Sequence, residues 1–346
     1  MKPNSRKTKK KFFHWIVLLL LTFMLFSAAT LFAVKNAGKL LVSFVEDQAV
    51  PYVLKTDDVA MGCMMAESLT LLIPSLVQIN ASPYKLAILF DFLSGSCAEF
   101  KAWEEELRYL RAIHNKNTVE AQDARILQKR YLNRAARRQL KGYLNFKKAY
   151  LELSGDNCPV LDSWNEEFYW MIGLMDGLQA VMNDLASGGE ANVPLDISLK
   201  VGRGARCLNN EKWWGMPVAI QAAIWINFPS YQPDGINPLQ VLDSAVNTGL
   251  KQGMRIAQVV AAKIHIGRGD AESVKQIIRD NIQTRLNIAT HPDFIFLDEV
   301  ASIQLQAISD HMWTDATGKR TPIGAMGTFW DDPKNTVDTI DLIDIL

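Results

Sequence analysis

The chain has 346 residues, 49% of them hydrophobic, and 37 Lys and Arg balance 37 Asp and Glu. That length supports one large or two medium domains, and the balanced charge argues against nucleic acid as the partner. Four cysteines (Cys63, Cys97, Cys158, Cys207) have no CxxC spacing, which gives no support to a zinc site or a thioredoxin motif.

Six basic residues between Lys2 and Lys11 precede 23 residues without a charge, Phe12 to Val34. At about 1.5 Å rise per residue such a run spans the roughly 30 Å hydrocarbon core of a bilayer. The basic flank on its N-terminal side keeps the start in the cytoplasm and exports the rest. Residues 1–35 therefore read as a single-pass anchor in a bacterial inner membrane, with the C-terminal domain in the periplasm. A cleaved signal with Ser27 and Ala29 before the cut competes with this reading and leaves a periplasmic protein. The uninterrupted length favours the anchor. In an oxidising compartment the cysteines offer one or two disulfides; otherwise each serves as a small buried apolar residue.

Residues 36–315 read as helices throughout. Ser82-Pro83 resembles an N-cap followed by proline, and Leu86, Leu89, Leu93, Cys97, Phe100, Trp103, Leu107 and Leu110 then recur every three or four residues. A second long helix is expected from about Val119 to Leu153. A third opens on Ser163-Trp-Asn-Glu166, a capping box, and stops at Gly188-Gly189. Shorter helices follow at roughly 195–209, 217–228, 238–250, 254–267, 271–286 and 293–313. Alternating strand patterns are scarce, so the fold class is all-α. The later segments have the size of tetratricopeptide hairpins, without that repeat's signature, which suggests a solenoid or bundle. Residues 316–346 read as an extended acidic tail; residues 293–346 carry 10 acidic residues against 3 basic.

Signatures of catalysis are missing. There is no GxSxG elbow, Gly202 and Gly204 lack the third glycine of a dinucleotide loop, and Trp313 stands where a phosphate loop needs glycine. No two of the five histidines lie three or four residues apart, so neither a metal site nor a cofactor is expected. Three constellations remain. Arg130, Arg134, Arg137 and Lys141 share one helical face and form either a grip for an acidic partner or a solvated surface. Asp176, Gln179 and Asn183 make a polar line inside an apolar helix, with Gln221 in the same role further on; they hydrogen-bond either neighbouring helices or a ligand. Trp213-Trp214-Gly215-Met216-Pro217, with Trp225, Phe228 and Tyr231 behind, either lines a ligand mouth or wedges helices apart.

The segment from Met171 to Asp270 resembles the T-component of tripartite ATP-independent periplasmic (TRAP) transporters. Gly177-Leu-Gln-Ala180, Val193-Pro-Leu-Asp196, Arg203-Gly-Ala-Arg-Cys-Leu208, Trp213-Trp-Gly-Met-Pro217 and Gln221-Ala-Ala-Ile-Trp225 carry the likeness, together with the Arg-rich helix Arg130–Arg138 and Tyr143. The resemblance implies a non-enzymatic, oligomeric helical scaffold with tetratricopeptide-like hairpins. Its implied partners are a periplasmic solute-binding protein that feeds a permease and a hydrophobic small molecule. On this reading Asp176, Gln179, Asn183, Trp214, Gln221 and Trp225 contact ligand, and Arg130, Arg134, Arg137 and Lys141 contact the partner. The chain departs from the family in lacking a lipid-anchor cysteine and in its acidic tail. Two other readings stand beside this one: a structural envelope protein without ligand, and a helical hydrolase or lyase using Glu166, Glu167 or Asp184 as its acid.

Overall fold

The computed structural model describes residues 14–15, 18–24, 36–79, 81–150 and 158–333. Most of the apolar run 12–34 thus lies outside the described residues; within it, residues 18–24 are helical, and Leu18 to Leu21, Phe23 and Met24 are exposed. The fold is all-α, and no strand occurs among the described residues. Helix α1 (residues 36–44) runs through a π-helical turn, Val45–Ala49, into α2 (Val50–Val53). There follow α3 (Val59–Ser75), a 3₁₀ turn at Leu76–Ile79, α4 (Tyr84–His114), α5 (Thr118–Ala149) and α6 (Trp164–Ser187). Then come α7 (Ile197–Ala205), α8 (Met216–Asn227), α9 (Pro238–Lys251), α10 (Ile256–Gly267), α11 (Ala271–Asn287) and α12 (Ile295–Thr317).

Capping residues set several of these limits. Asp58 accepts from the Met61 amide at 2.8 Å, Asn117 caps α5, Ser163 caps α6, and Gly188 with φ +106° closes α6 in the left-handed conformation. The expected Ser82 cap is a departure: Pro83 holds the cap position of α4 and no side chain caps that end. α4, α5 and α6 pack together as the long central layer, with α3 laid on α4. α7 and α8 continue from α6, α9 and α10 stack on α8, and α12 returns to α4 and α3, so late helices touch early ones. One contiguous apolar core runs from Val42 to Leu305.

The cysteines pair as Cys63–Cys97, which staples α3 to α4, and Cys158–Cys207, which ties the segment before α6 to the turn after α7. Residues 318–333, at the start of the acidic segment, lie against α11: Phe329 is buried on Val274 and Ile278, and Asp331 and Asp332 meet Lys275 and Arg279. Among the described residues one helix, Val59–Ile79, is long and apolar enough to cross a membrane by length and composition, and 22% of its apolar window is buried within the fold.

Candidate ligand cavity and buried polar seam

An aromatic cluster is built by the start of α6 (Trp164, Phe168), the turn before α8 (Trp213, Trp214) and the residue before α12 (Phe294). Two glycines shape it. Gly215 (φ +80°) lets the Trp213-Trp214 turn touch α9, where a Cβ would stand 2.0 Å from the Ala245 carbonyl oxygen; Gly253 (φ +71°) does the same against the Ala289 oxygen. Trp214 itself is held at φ +54°, a conformation costing on the order of 1–2 kcal/mol for a bulky residue, so packing must overdetermine it. The packing is visible. Trp214 meets Phe294 edge-on with centroids 4.4 Å apart, Trp164 lies against Phe294 at 5.8 Å and stacks on Phe168 at 5.0 Å, and His291 flanks Phe294 at 4.9 Å.

Between these rings and the end of α2 opens a cavity of about 430 Å³, within the range of small-molecule sites. Trp164, Trp214, Phe294, Pro51 and Leu54 supply apolar wall, and Lys55, Lys212, Gln252, His291 and Asp293 the polar part. Lys55 pairs with Asp293 at 2.9 Å, and Lys212 pairs with Glu167 at 2.9 Å, whose other oxygen accepts from the Trp213 indole N–H at 2.6 Å. The wall formed by residues 288–294 is fixed from behind by a buried ion pair. Arg255 and Asp298, each 1% exposed, meet at 2.7 Å; the same guanidinium donates to the Gly253, Thr284 and Ile288 carbonyls. Asp298 also accepts from the Arg255 amide and from the Thr290 hydroxyl. A second, smaller cavity of about 140 Å³ lies between α2, α3, α4 and α12 and is walled by apolar residues alone, among them Val53, Leu69, Leu93 and Phe296.

The expected polar line on α6 lies elsewhere, in a seam where α4, α5 and α6 meet. Gln139 donates to Glu99 at 2.8 Å and to Gln179 at 2.9 Å, while Asn183 donates to Gln139 at 2.7 Å and to Glu99. Of the two roles open to these residues, the structure places Gln179 and Asn183 in an internal network. Asp176 is different. It is 0% exposed, neither carboxylate oxygen has a partner, and burial drives its proton affinity well above the usual carboxylate range, with Asp91 and Glu99 adding to the effect. It fits only because α5 presents Gly142, where a Cβ would stand 2.1 Å from an Asp176 oxygen. Nearby Asp91 is raised to about 6 by burial, which outweighs its ion pair with Lys141 at 3.1 Å and a bond from Asn145.

Of the remaining candidates, Trp214 alone lines the aromatic cavity. Gln221 bonds the Pro217 carbonyl of its own helix at 3.1 Å, and Trp225 is partly buried on α8. Arg130, Arg134 and Arg137 are exposed on α5; Arg137 donates to Asn133 and to the Glu190 carbonyl. Lys141 parts from them and turns to Asp91 and the Thr70 carbonyl, because Asp91 draws its ammonium inward from the edge of the face. The three candidate acids have other duties: Glu166 pairs with Lys85, Glu167 with Lys212, and Asp184 accepts the Ala191 and Val193 amides. No group of three His, Cys, Asp or Glu among the described residues is placed to hold a metal ion.

Compared with known proteins, the chain matches no family model, no curated protein and no solved structure. Of the cavity-lining residues, Trp164 lies in the Ser163–Glu166 capping box, which marks a helix start and not a site, while Lys55, Lys212, His291 and Phe294, and the Arg255–Asp298 pair behind them, lie in no sequence motif. The doubled tryptophan was the only local signal of the site.

Proposed function

We propose that the chain is a non-enzymatic, membrane-attached helical scaffold working outside the cytoplasm, in the role of a TRAP-transporter T-component. It holds a hydrophobic small molecule in the aromatic cavity and offers a separate basic surface to a solute-binding protein. The cavity is the observation that carries this reading: about 430 Å³, floored by Trp164, Trp214 and Phe294, and braced by a buried ion pair. A rigid aromatic recess suits binding, since little side-chain freedom is lost when it fills. Two further observations support the setting. Both cysteine pairs form disulfides, which persist in oxidising compartments, and an apolar run of spanning length follows a basic N-terminus. Arg130, Arg134 and Arg137, exposed along one side of α5, supply the positive patch for the partner.

The test is affinity purification of the tagged full chain from gently solubilised membranes, followed by mass spectrometry of proteins and small molecules. The proposal expects a hydrophobic molecule and a solute-binding protein or permease subunit to co-purify. Trp164→Ala should weaken ligand retention about tenfold, as expected for the loss of roughly 1.5 kcal/mol of aromatic contact. Charge reversal at Arg130, Arg134 and Arg137 should release the protein partner and spare the ligand. Recovery of the chain alone, without ligand or partner, sinks the proposal and leaves an envelope protein of purely structural role.

A further inference from the structure

α3 is apolar around most of its circumference, and only one side of it is used by the fold. Val59, Gly62, Ala66 and Ile73 are buried, Gly62 lies so close to Phe296 that a Cβ would stand 2.5 Å from its ring, and the Cys63–Cys97 disulfide fixes that side to α4. The helix therefore cannot leave the domain to cross a bilayer by itself. Its other side carries Leu71 at 82% exposure, Leu72 and, in the following 3₁₀ turn, Val77. α1 adds Leu40 at 73% exposure, Leu41 and Phe44. The two elements touch, because Gly38, on the buried side of α1, packs on Ile79, whose side chain would lie 2.8 Å from a Cβ there.

Four observations point to what covers these side chains. The apolar run ends at Val34 and residue 36 is already helical, so one residue, Lys35, and at most about 7 Å of chain separate described α1 from the end of the spanning segment. The hydroxyls on the exposed side of α3 need no water: Ser68 donates to the Met64 carbonyl at 2.8 Å, and Ser75 to the Leu72 carbonyl at 2.6 Å. The single charge of α3, Glu67, turns away to Lys101 and Arg138. Lys39, exposed on α1, has a stem long enough to place its ammonium among lipid phosphates.

We infer that Leu40, Leu41, Phe44, Leu71, Leu72 and Val77 are seated in the membrane leaflet from which the N-terminal segment emerges. The domain is thereby held flat on the lipid surface by α1 and the C-terminal end of α3, in addition to its anchor. This rests on the membrane-attached reading above. It fixes which end of the helix layers faces the bilayer, and it makes α3 an interfacial helix, neither a core helix nor a second span.

The test uses the full chain in lipid vesicles with spin labels on single introduced cysteines, the four native cysteines being paired. Labels at Leu71→Cys and Leu40→Cys are compared with Leu20→Cys, in the apolar run, and Val119→Cys, exposed at the start of α5. The ratio of collisions with oxygen to collisions with a water-soluble nickel complex should be severalfold higher at positions 71, 40 and 20 than at 119. Leu71→Asp combined with Leu72→Asp should lower the ratio at position 40 severalfold, through loosened seating. A lipid-like ratio at position 20 with a water-like ratio at 71 overturns the seating and spares the anchor. A water-like ratio at position 20 removes the anchor and the inference together. Shielding of position 71 from both reagents means that protein, such as a second copy, covers the patch, and also overturns the inference.

Discussion

Asp176 is a carboxyl group whose full burial without a hydrogen-bond partner favours its protonated form. Its native proton affinity lies far above its ordinary value of 3.8, chiefly through burial, so the native state holds a proton that the unfolded chain releases. The sign follows: stability is greatest below that ordinary value and declines as pH rises, until the native group itself ionises. Asp91, raised to about 6, adds a decline between about 4 and 6. Asp176→Asn keeps the shape without the ionisation, so urea unfolding from pH 4 to 8 should show a shallower fall than the native chain, with the largest difference at the alkaline end. A slope unchanged by the substitution would show that Asp176 is charged in the native state. The same carboxyl depends on Gly142. Gly142→Ala should cost about 1–3 kcal/mol by overpacking, and less when Asp176→Ala has already made room; a double-mutant cycle measures that coupling.

At the scale of elements, the loop that walls the aromatic cavity is held by Arg255 and Asp298. Breaking one member leaves a buried charge, so Arg255→Met should lower stability by about 3–5 kcal/mol, and the double variant Arg255→Met/Asp298→Leu should cost less than Arg255→Met alone. Thermal unfolding of the native chain and these two variants checks this ordering. These positions also show what sequence periodicity can carry. The stripe from Leu86 to Leu110 and the capping box at Ser163 announced α4 and α6, because one apolar face and one cap are local signals. The polar line of α6 was equally plain, since three polar residues stood at helical spacing among apolar ones. α3 left no stripe: it is apolar on both its buried and its exposed sides. The aromatic cavity was legible only at Trp213-Trp214, because its other walls come from residues 51–55, 164, 252 and 291–294. Nothing local marks Arg255 and Asp298 as partners across 43 positions.

For the whole molecule, the return of α12 to α3 and α4 joins the late helices to the early ones in one core, so loosening α3 should be felt far from it. The Cys63–Cys97 bridge closes a separation of 34 residues, for which chain entropy gives about 4 kcal/mol. Cys63→Ser combined with Cys97→Ser should therefore lower the unfolding midpoint in denaturant by a corresponding amount, with the Cys158–Cys207 bridge left intact. The order of the bridges has a consequence for biogenesis. Each cysteine is joined to the next one along the chain, first with second and third with fourth, and the two closed loops neither cross nor nest. On the proposed export route, a polypeptide threaded outward from its N-terminus presents every thiol to its proper mate before a wrong one arrives. Maturation should accordingly require a disulfide-forming oxidase and proceed without a bond-shuffling isomerase, which the yield of oxidised protein in cells lacking one or the other enzyme will show.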